Sequence, residues 1–161
     1  RGCDGREHPK WLGESEGSIV STDMAYAAGI MDGEGCLTIK QRSASQQTGS
    51  ALSTSYSGEV TVEMTDETTI RFLHELFGVG SIRSRQRVAQ NKPVYVWRVT
   101  DAAARKVCWD ILPYLRIKQR QAELIITLPV WPQGKGPVPE EVVTMKATML
   151  TEMRSLNRVG A

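Results

Sequence analysis

The chain lacks the features that mark several large classes of protein. No apolar run approaches the roughly 20 residues needed to cross a bilayer as a helix, which excludes a transmembrane reading. The first residues, Arg1-Gly-Cys-Asp-Gly-Arg-Glu-His8, hold no apolar stretch of the kind found in secretory signals. Cysteine is scarce: Cys3, Cys36 and Cys108 are odd in number, far apart and without a C-x-x-C pair. That pattern argues against a disulfide framework or zinc site and for reduced thiols in an intracellular protein. His8 and His74 are too few and too distant to suggest a histidine metal site or triad. Strong net charge is also missing, since 20 Lys and Arg against 18 Asp and Glu leave +2.

What is present is an ordinary globular composition, 40% hydrophobic and 24% charged over 161 residues, enough for one domain with a real core. The distribution of charge says more than its sum. Residues 81–100 carry Arg83, Arg85, Arg87, Lys92 and Arg98 with no acid, and residues 36–58 carry Lys40 and Arg42 with none. The acids are concentrated elsewhere.

Residues 1–20 show no clear periodicity and are expected to form an irregular arm ahead of a single domain over 21–161. Ser21-Thr22-Asp23 is an N-cap cluster, which predicts a short helix over 24–32. Residues 36–42 and 59–64 alternate as strands, joined by a long Ser/Gln/Gly/Thr tip. Thr65 or Asp66 can cap a helix over 67–77, ended by Gly78-Val-Gly80. A second hairpin pairs 81–87 with 94–99 across the Asn91-Lys92-Pro93 turn. Helices near 101–112 and 115–128 stop at Pro113 and Pro129, and a last helix spans 140–157 with a stripe of Val142, Met145, Met149, Met153 and Leu156. The order helix, two strands, helix, two strands, helices predicts an α+β domain with one antiparallel sheet.

Two places could carry chemistry. The sheet face turned away from the core gathers Lys40, Arg42, Thr61, Glu63, Arg83, Arg85, Arg87 and Arg98, with Gln46 in the adjoining tip. A solvated face would normally mix the two signs of charge. Arginine at every second position of 83–87 repels itself unless an anion is near, so this face is expected to contact nucleic acid. The other place is Ala25-Tyr-Ala-Ala-Gly-Ile-Met-Asp-Gly-Glu-Gly35, which begins as a helix and ends in two acids spaced by glycines. A helix C-terminus disfavours negative charge, and a hard divalent cation held by oxygen ligands would compensate it.

Ala27-Ala-Gly-Ile-Met-Asp-Gly-Glu-Gly35 resembles the LAGLIDADG motif of homing endonucleases, in a variant ending D-G-E-G. Met64-Thr-Asp66, the Gly78-Val-Gly80 turn, Trp97-Arg-Val99 and Leu112-Pro-Tyr-Leu-Arg-Ile-Lys-Gln-Arg-Gln-Ala122 follow in the order and approximate spacing of single-motif members. The resemblance covers about residues 24–128.

It implies the αββαββα homing-endonuclease fold, with a saddle-shaped DNA-binding sheet and C-terminal helices. The chain carries one copy of the motif, which implies a homodimer whose motif helices meet on the two-fold axis, here through Ala25, Ala28 and Gly29. The implied activity is Mg²⁺-dependent double-strand cleavage of a long, nearly palindromic DNA target, leaving short 3′ overhangs. Mn²⁺ or Ca²⁺ could replace Mg²⁺ for binding. Glu34, with the Gly33 carbonyl, matches the metal ligands, Lys118 the lysine near the attacking water, and Asp66 a polar position that orders water. Asp32 takes a supporting role. Where relatives carry a basic residue four positions after Asp66, this chain has Ile70, so Arg71 and Arg98 are the candidates for that partner. Such an enzyme acts inside a bacterial or phage-infected cell or an organelle. The alternatives are a catalytically weak RNA maturase or DNA-binding protein of the same descent, and a plain dimerisation module.

Overall fold

The computed structural model describes residues 16–42, 54–86, 92–132 and 135–159, and of residues 16–20 and 159 the backbone only. Its elements run α1 (Glu16–Glu34), β1 (Gly35–Arg42), β2 (Ser55–Met64), α2 (Glu67–Phe77), β3 (Ser81–Arg85), β4 (Val94–Thr100), α3 (Asp101–Ile111), a 3₁₀ turn (Leu112–Tyr114), α4 (Gln119–Thr127) and α5 (Glu140–Val159). The expected order is therefore present. The strands form one sheet in the order β1-β2-β4-β3, antiparallel at every contact.

Alternation along the strands decides what lies on each face. Leu37 pairs with Val60 and Val62 with Trp97, so these side chains share the face covered by helices. That layer joins Met31 of α1, Ile70 and Leu73 of α2, Val107 and Ile111 of α3, Ile125 of α4 and Met153 of α5 in one buried core. Trp97 is central to it. Its ring stacks on Phe77 with centroids 5.5 Å apart, and its indole N–H donates to the Val79 carbonyl at 2.9 Å. The polar edge of the largest core side chain is thereby satisfied without water.

Element boundaries depart from expectation in several places. α1 starts at Glu16, so the last residues of the expected arm are helical and Ser21-Thr22-Asp23 lie inside the helix. The Ser21 hydroxyl instead hydrogen bonds the Tyr114 hydroxyl, 3.3 Å away. β2 is longer than expected and begins at Ser55. The expected helix over 115–128 starts only at Gln119, because Leu115 is extended and the next backbone amides are taken by a carboxylate from α1. α5 turns Lys146 inward and leaves Met145 54% exposed, so its apolar stripe passes through Leu150 and Met153. The expected α2 holds as read: Asp66 is its N-cap, and Gly78, in the left-handed region at φ 62°, ends it with its amide bonded to the His74 carbonyl.

Candidate functional site

The C-terminus of α1 meets the turn before α4, and this junction sorts the two acids of the motif. The Asp32 carboxylate accepts the backbone amides of Arg116 at 2.7 Å, Ile117 at 3.2 Å and Lys118 at 3.0 Å. Those amides precede a helix, where the macrodipole favours negative charge, so an acid badly placed for its own helix is well placed for the next. Glu34, two residues on, is exposed, and its carboxylate forms no hydrogen bond or ion pair among the described residues.

The same turn carries Lys118 back to α1. Its ammonium donates to the Met31 carbonyl at 2.9 Å and the Gly35 carbonyl at 2.7 Å, on either side of Asp32-Gly-Glu34. A lysine has three such donors, so one is left for a further acceptor. Gly35 makes the close fit possible: a Cβ there would lie 2.6 Å from the Met31 carbonyl oxygen and 2.8 Å from its Cα. Gly33 lies exposed in open space. The two glycines of D-G-E-G thus have different reasons, one steric and one not.

Asp66 lies just past the end of β2 that pairs with Gly35, which puts it at the same end of the sheet as the motif. Its carboxylate caps α2, accepting the Thr69 amide at 2.8 Å and the Thr69 hydroxyl at 2.5 Å. These bonds hold its pKa below the usual carboxylate value. No hydrogen bond or ion pair joins it to Glu34 or Lys118 among the described residues. Ile70 is fully buried in the core, and both candidates for the basic partner are engaged. Arg71 pairs with Glu67, whose pKa it lowers, and Arg98 pairs with Glu59.

On the open face of the sheet the described basic side chains divide in two. Glu59, only 6% exposed, takes the Arg98 guanidinium through two donors and lies 3.7 Å from the Lys40 ammonium. Thr61 donates to the other oxygen of the same carboxylate at 3.4 Å. Glu63 holds Arg85, whose pKa rises as a result. Arg42 and Arg83 form no ion pair or hydrogen bond among the described residues. Both line, with Arg98, a depression of about 400 Å³ on this face. Gln46 and Arg87 lie outside the described residues. Glu59 is the participant that sequence reading missed. Alternation already turned it outward, but only the register reveals that it lies one row from Arg98 and diagonal to Lys40.

The expected contact surface of α1 is partly corrected. Ala28 is fully buried and packs into the core of its own chain, as does Ala27, whereas Ala25, Gly29 and Gly33 are exposed. Gly29 has open space where a Cβ would sit. The small side chain of Ala28 therefore serves close packing within the subunit.

Among the described residues no three His, Cys, Asp or Glu side chains converge as a metal site. What one chain offers at the end of α1 is the Glu34 carboxylate and nearby helix-end carbonyls, all hard oxygen donors of the kind Mg²⁺ and Ca²⁺ prefer. That donor set fits a divalent ion in kind and could supply only part of its coordination.

A two-layer α+β domain with an arginine-bearing open sheet face, and a free carboxylate where its first helix enters that sheet, has the architecture of the homing-endonuclease class. The chain belongs to the LAGLIDADG endonuclease family, whose model matches residues 27–123. It is similar to the homing endonuclease I-CvuI, solved with its target in the presence of Ca and with an I-CreI target in the presence of Mg, the latter with the DNA not cleaved. That likeness has a TM-score of 0.69 at 20% identity and covers 86% of this chain and 83% of the other. The archaeal intron-encoded homing endonuclease I-Vdi141I, complexed with DNA, matches with a TM-score of 0.66 at 12% identity over 84% of each chain. At such identities the likeness establishes the fold. No curated protein matches the chain.

Proposed function

We propose that the protein is a site-specific homing endonuclease that works as a homodimer and makes a double-strand break with short 3′ overhangs in a long, nearly palindromic DNA target. The observation that carries this reading is the division at the end of α1: Asp32 is fully engaged and Lys118 pinned, while the Glu34 carboxylate has no partner among the described residues. A carboxylate kept free beside a helix C-terminus is electrostatically unfavourable unless a cation joins it.

The Glu34 carboxylate and the Gly33 carbonyl of each copy would hold Mg²⁺. A divalent ion there would lower the pKa of a bound water and stabilise charge on the leaving oxygen. Lys118, tied to two carbonyls, has its remaining donor for water or a phosphate oxygen. Asp32 fixes the backbone that carries Lys118 and so acts as a positioning residue. Asp66 acts through α2, whose start it fixes. On the sheet, Arg42 and Arg83 are suited to phosphates, while the tethered Arg98 and Arg85 are oriented for base edges. The dimer contact runs along Ala25, Gly29 and Gly33. Such an enzyme would work where its DNA is, in a bacterial or phage-infected cell or an organelle. The free Glu34 and the pinned Lys118 weigh against the RNA-maturase reading.

The test is selection of cleaved duplexes from a randomised library with Mg²⁺, followed by comparison of the wild type with Glu34→Gln on the selected site. Cleavage lost with binding retained is the expected result, and a purified dimer that cuts no sequence overturns the reading. Gly29→Trp probes the dimer separately: Gly29 is exposed with nothing within 4 Å of a Cβ there, so the fold is expected to persist while sedimentation shows monomers.

A further inference from the structure

Outside the DNA-facing sheet, the helix layer encloses a second cavity, of about 660 Å³, within the size range of small-molecule sites. It lies between the start of β2, the N-terminal part of α3, the segment that leaves α4, and α5. Its walls are mixed: Tyr56, Ile125, Leu128 and Trp131 supply apolar and aromatic surface, and Ser57, Asp101, Arg105 and Lys146 polar groups.

The polar groups in this lining are unusually poor in partners. Lys146 is only 8% exposed and makes no ion pair or hydrogen bond among the described residues. Arg105 gives one donor to the Leu128 carbonyl at 2.5 Å, but its Nε is buried without a partner among the described residues. The Ser57 hydroxyl is likewise buried and unpaired among them. Asp101, the carboxylate in the lining, is exposed and pairs with neither cation. A lysine side chain so largely covered, with no opposite charge beside it among the described residues, leaves its ammonium available to an anion. Apolar contacts alone would have suited a methionine, and Met145 next to it on α5 is turned outward.

We propose that this cavity is a binding site for a small organic anion, a carboxylate or phosphate group on a flat apolar body, with Lys146 as its counter-charge. Arg105 is a second cation in the same lining, and Tyr56 and Trp131 would hold the apolar part by stacking and exclusion of water. The inference does not rest on DNA cleavage. The site uses none of the residues assigned to that activity, and its test needs no DNA.

The experiment is titration of the full chain, followed through the indole N–H resonance of Trp131, assigned by Trp131→Phe. The probes are indole-3-acetate, its neutral amide, phenyl phosphate and inorganic phosphate. The Trp131 indole donates to the Gly136 carbonyl at 3.2 Å, so it reports on the wall of the cavity. Saturable shifts are expected with indole-3-acetate or phenyl phosphate, the better of the two identifying the anionic group. Lys146→Met should weaken binding about tenfold or more through loss of a charge-assisted contact. No saturable shift with either organic anion would overturn the proposal. So would equal binding of the amide, or unchanged binding by Lys146→Met. Equal affinity for inorganic phosphate would overturn the assignment of an organic ligand.

Discussion

The end of α1 and the open face of the sheet treat their carboxylates in opposite ways. On the sheet, Glu59 and Glu63 are each matched to an arginine, and the charge that remains there is positive. At the end of α1, Asp32 is matched to three backbone amides and Glu34 to nothing among the described residues, so the charge that remains is negative. One region is prepared for a cation and the other for a polyanion. The difference shows that an acid's role is set by what already satisfies it, more than by where it lies in a motif.

The sharpest way to break this comparison is to exchange the fates of the two acids. Glu34→Gln is expected to lower cleavage by about a thousandfold or more, as loss of a metal ligand does, with affinity for target DNA little changed. Because Glu34 has no partner among the described residues, the melting temperature of the variant should stay the same or rise slightly. Asp32→Ala should do the reverse, removing the acceptor of three amides and destabilising the protein by about 1–3 kcal/mol. Denaturant midpoints measured beside cleavage rates separate the two. A stable, inactive Asp32→Ala would reverse their assignment.

Lys118→Met comes next. It deletes both bonds to the ends of the motif and is expected to slow cleavage about a hundredfold while retaining DNA binding. Single-turnover rates on the selected target measure it. If Lys118 served only to brace α1, the loss would track stability, and a stabilising solute such as sucrose would restore the rate.

How these residues could be read from sequence differs with the range of their partners. The strands were legible because alternation is local: Leu37, Val60, Val62, Trp97 and Val99 all point where the pattern sends them. The cap at Asp66 was legible for the same reason. The start of α4 was not, since the turn ahead of it is held by Asp32, more than eighty positions away in the chain. The inward turn of Lys146 and the outward turn of Met145 were hidden too, because adjacent positions on a helix differ by a rotation that a broken stripe does not define. The motif announced an acid pair, but only the structure distinguishes the engaged acid from the free one. Glu59 needed the strand register before it could be joined to Arg98.

On the sheet the comparison can be sharpened within one face. Arg83→Ala removes a cation that has no partner among the described residues and should weaken all duplexes alike, lowering the slope of log affinity against log salt by about 1. Glu59→Gln removes an anchor and adds net positive charge. It should bind random duplex more tightly at low salt while losing roughly tenfold in discrimination of the selected site. Salt titrations on matched and random duplexes read both. Equal effects of the two variants on specificity would erase the distinction between tethered and free arginines.

The smallest effect is expected at Asp66, which tests whether its carboxylate belongs with the engaged or the free acids. The Thr69 bonds lower its folded pKa from 3.8, so its contribution to stability is complete above that value and fades as the pH falls through the folded pKa. Asn also caps helices well, so Asp66→Asn should leave the denaturant midpoint near pH 7 almost unchanged. Its effect should appear on the acid side, as a shallower loss of stability with falling pH. A structural cap predicts in addition that cleavage near neutral pH survives the substitution within a few-fold. A large loss of cleavage with an unchanged midpoint would instead move Asp66 beside Glu34, as an acid whose charge is needed by something outside the chain.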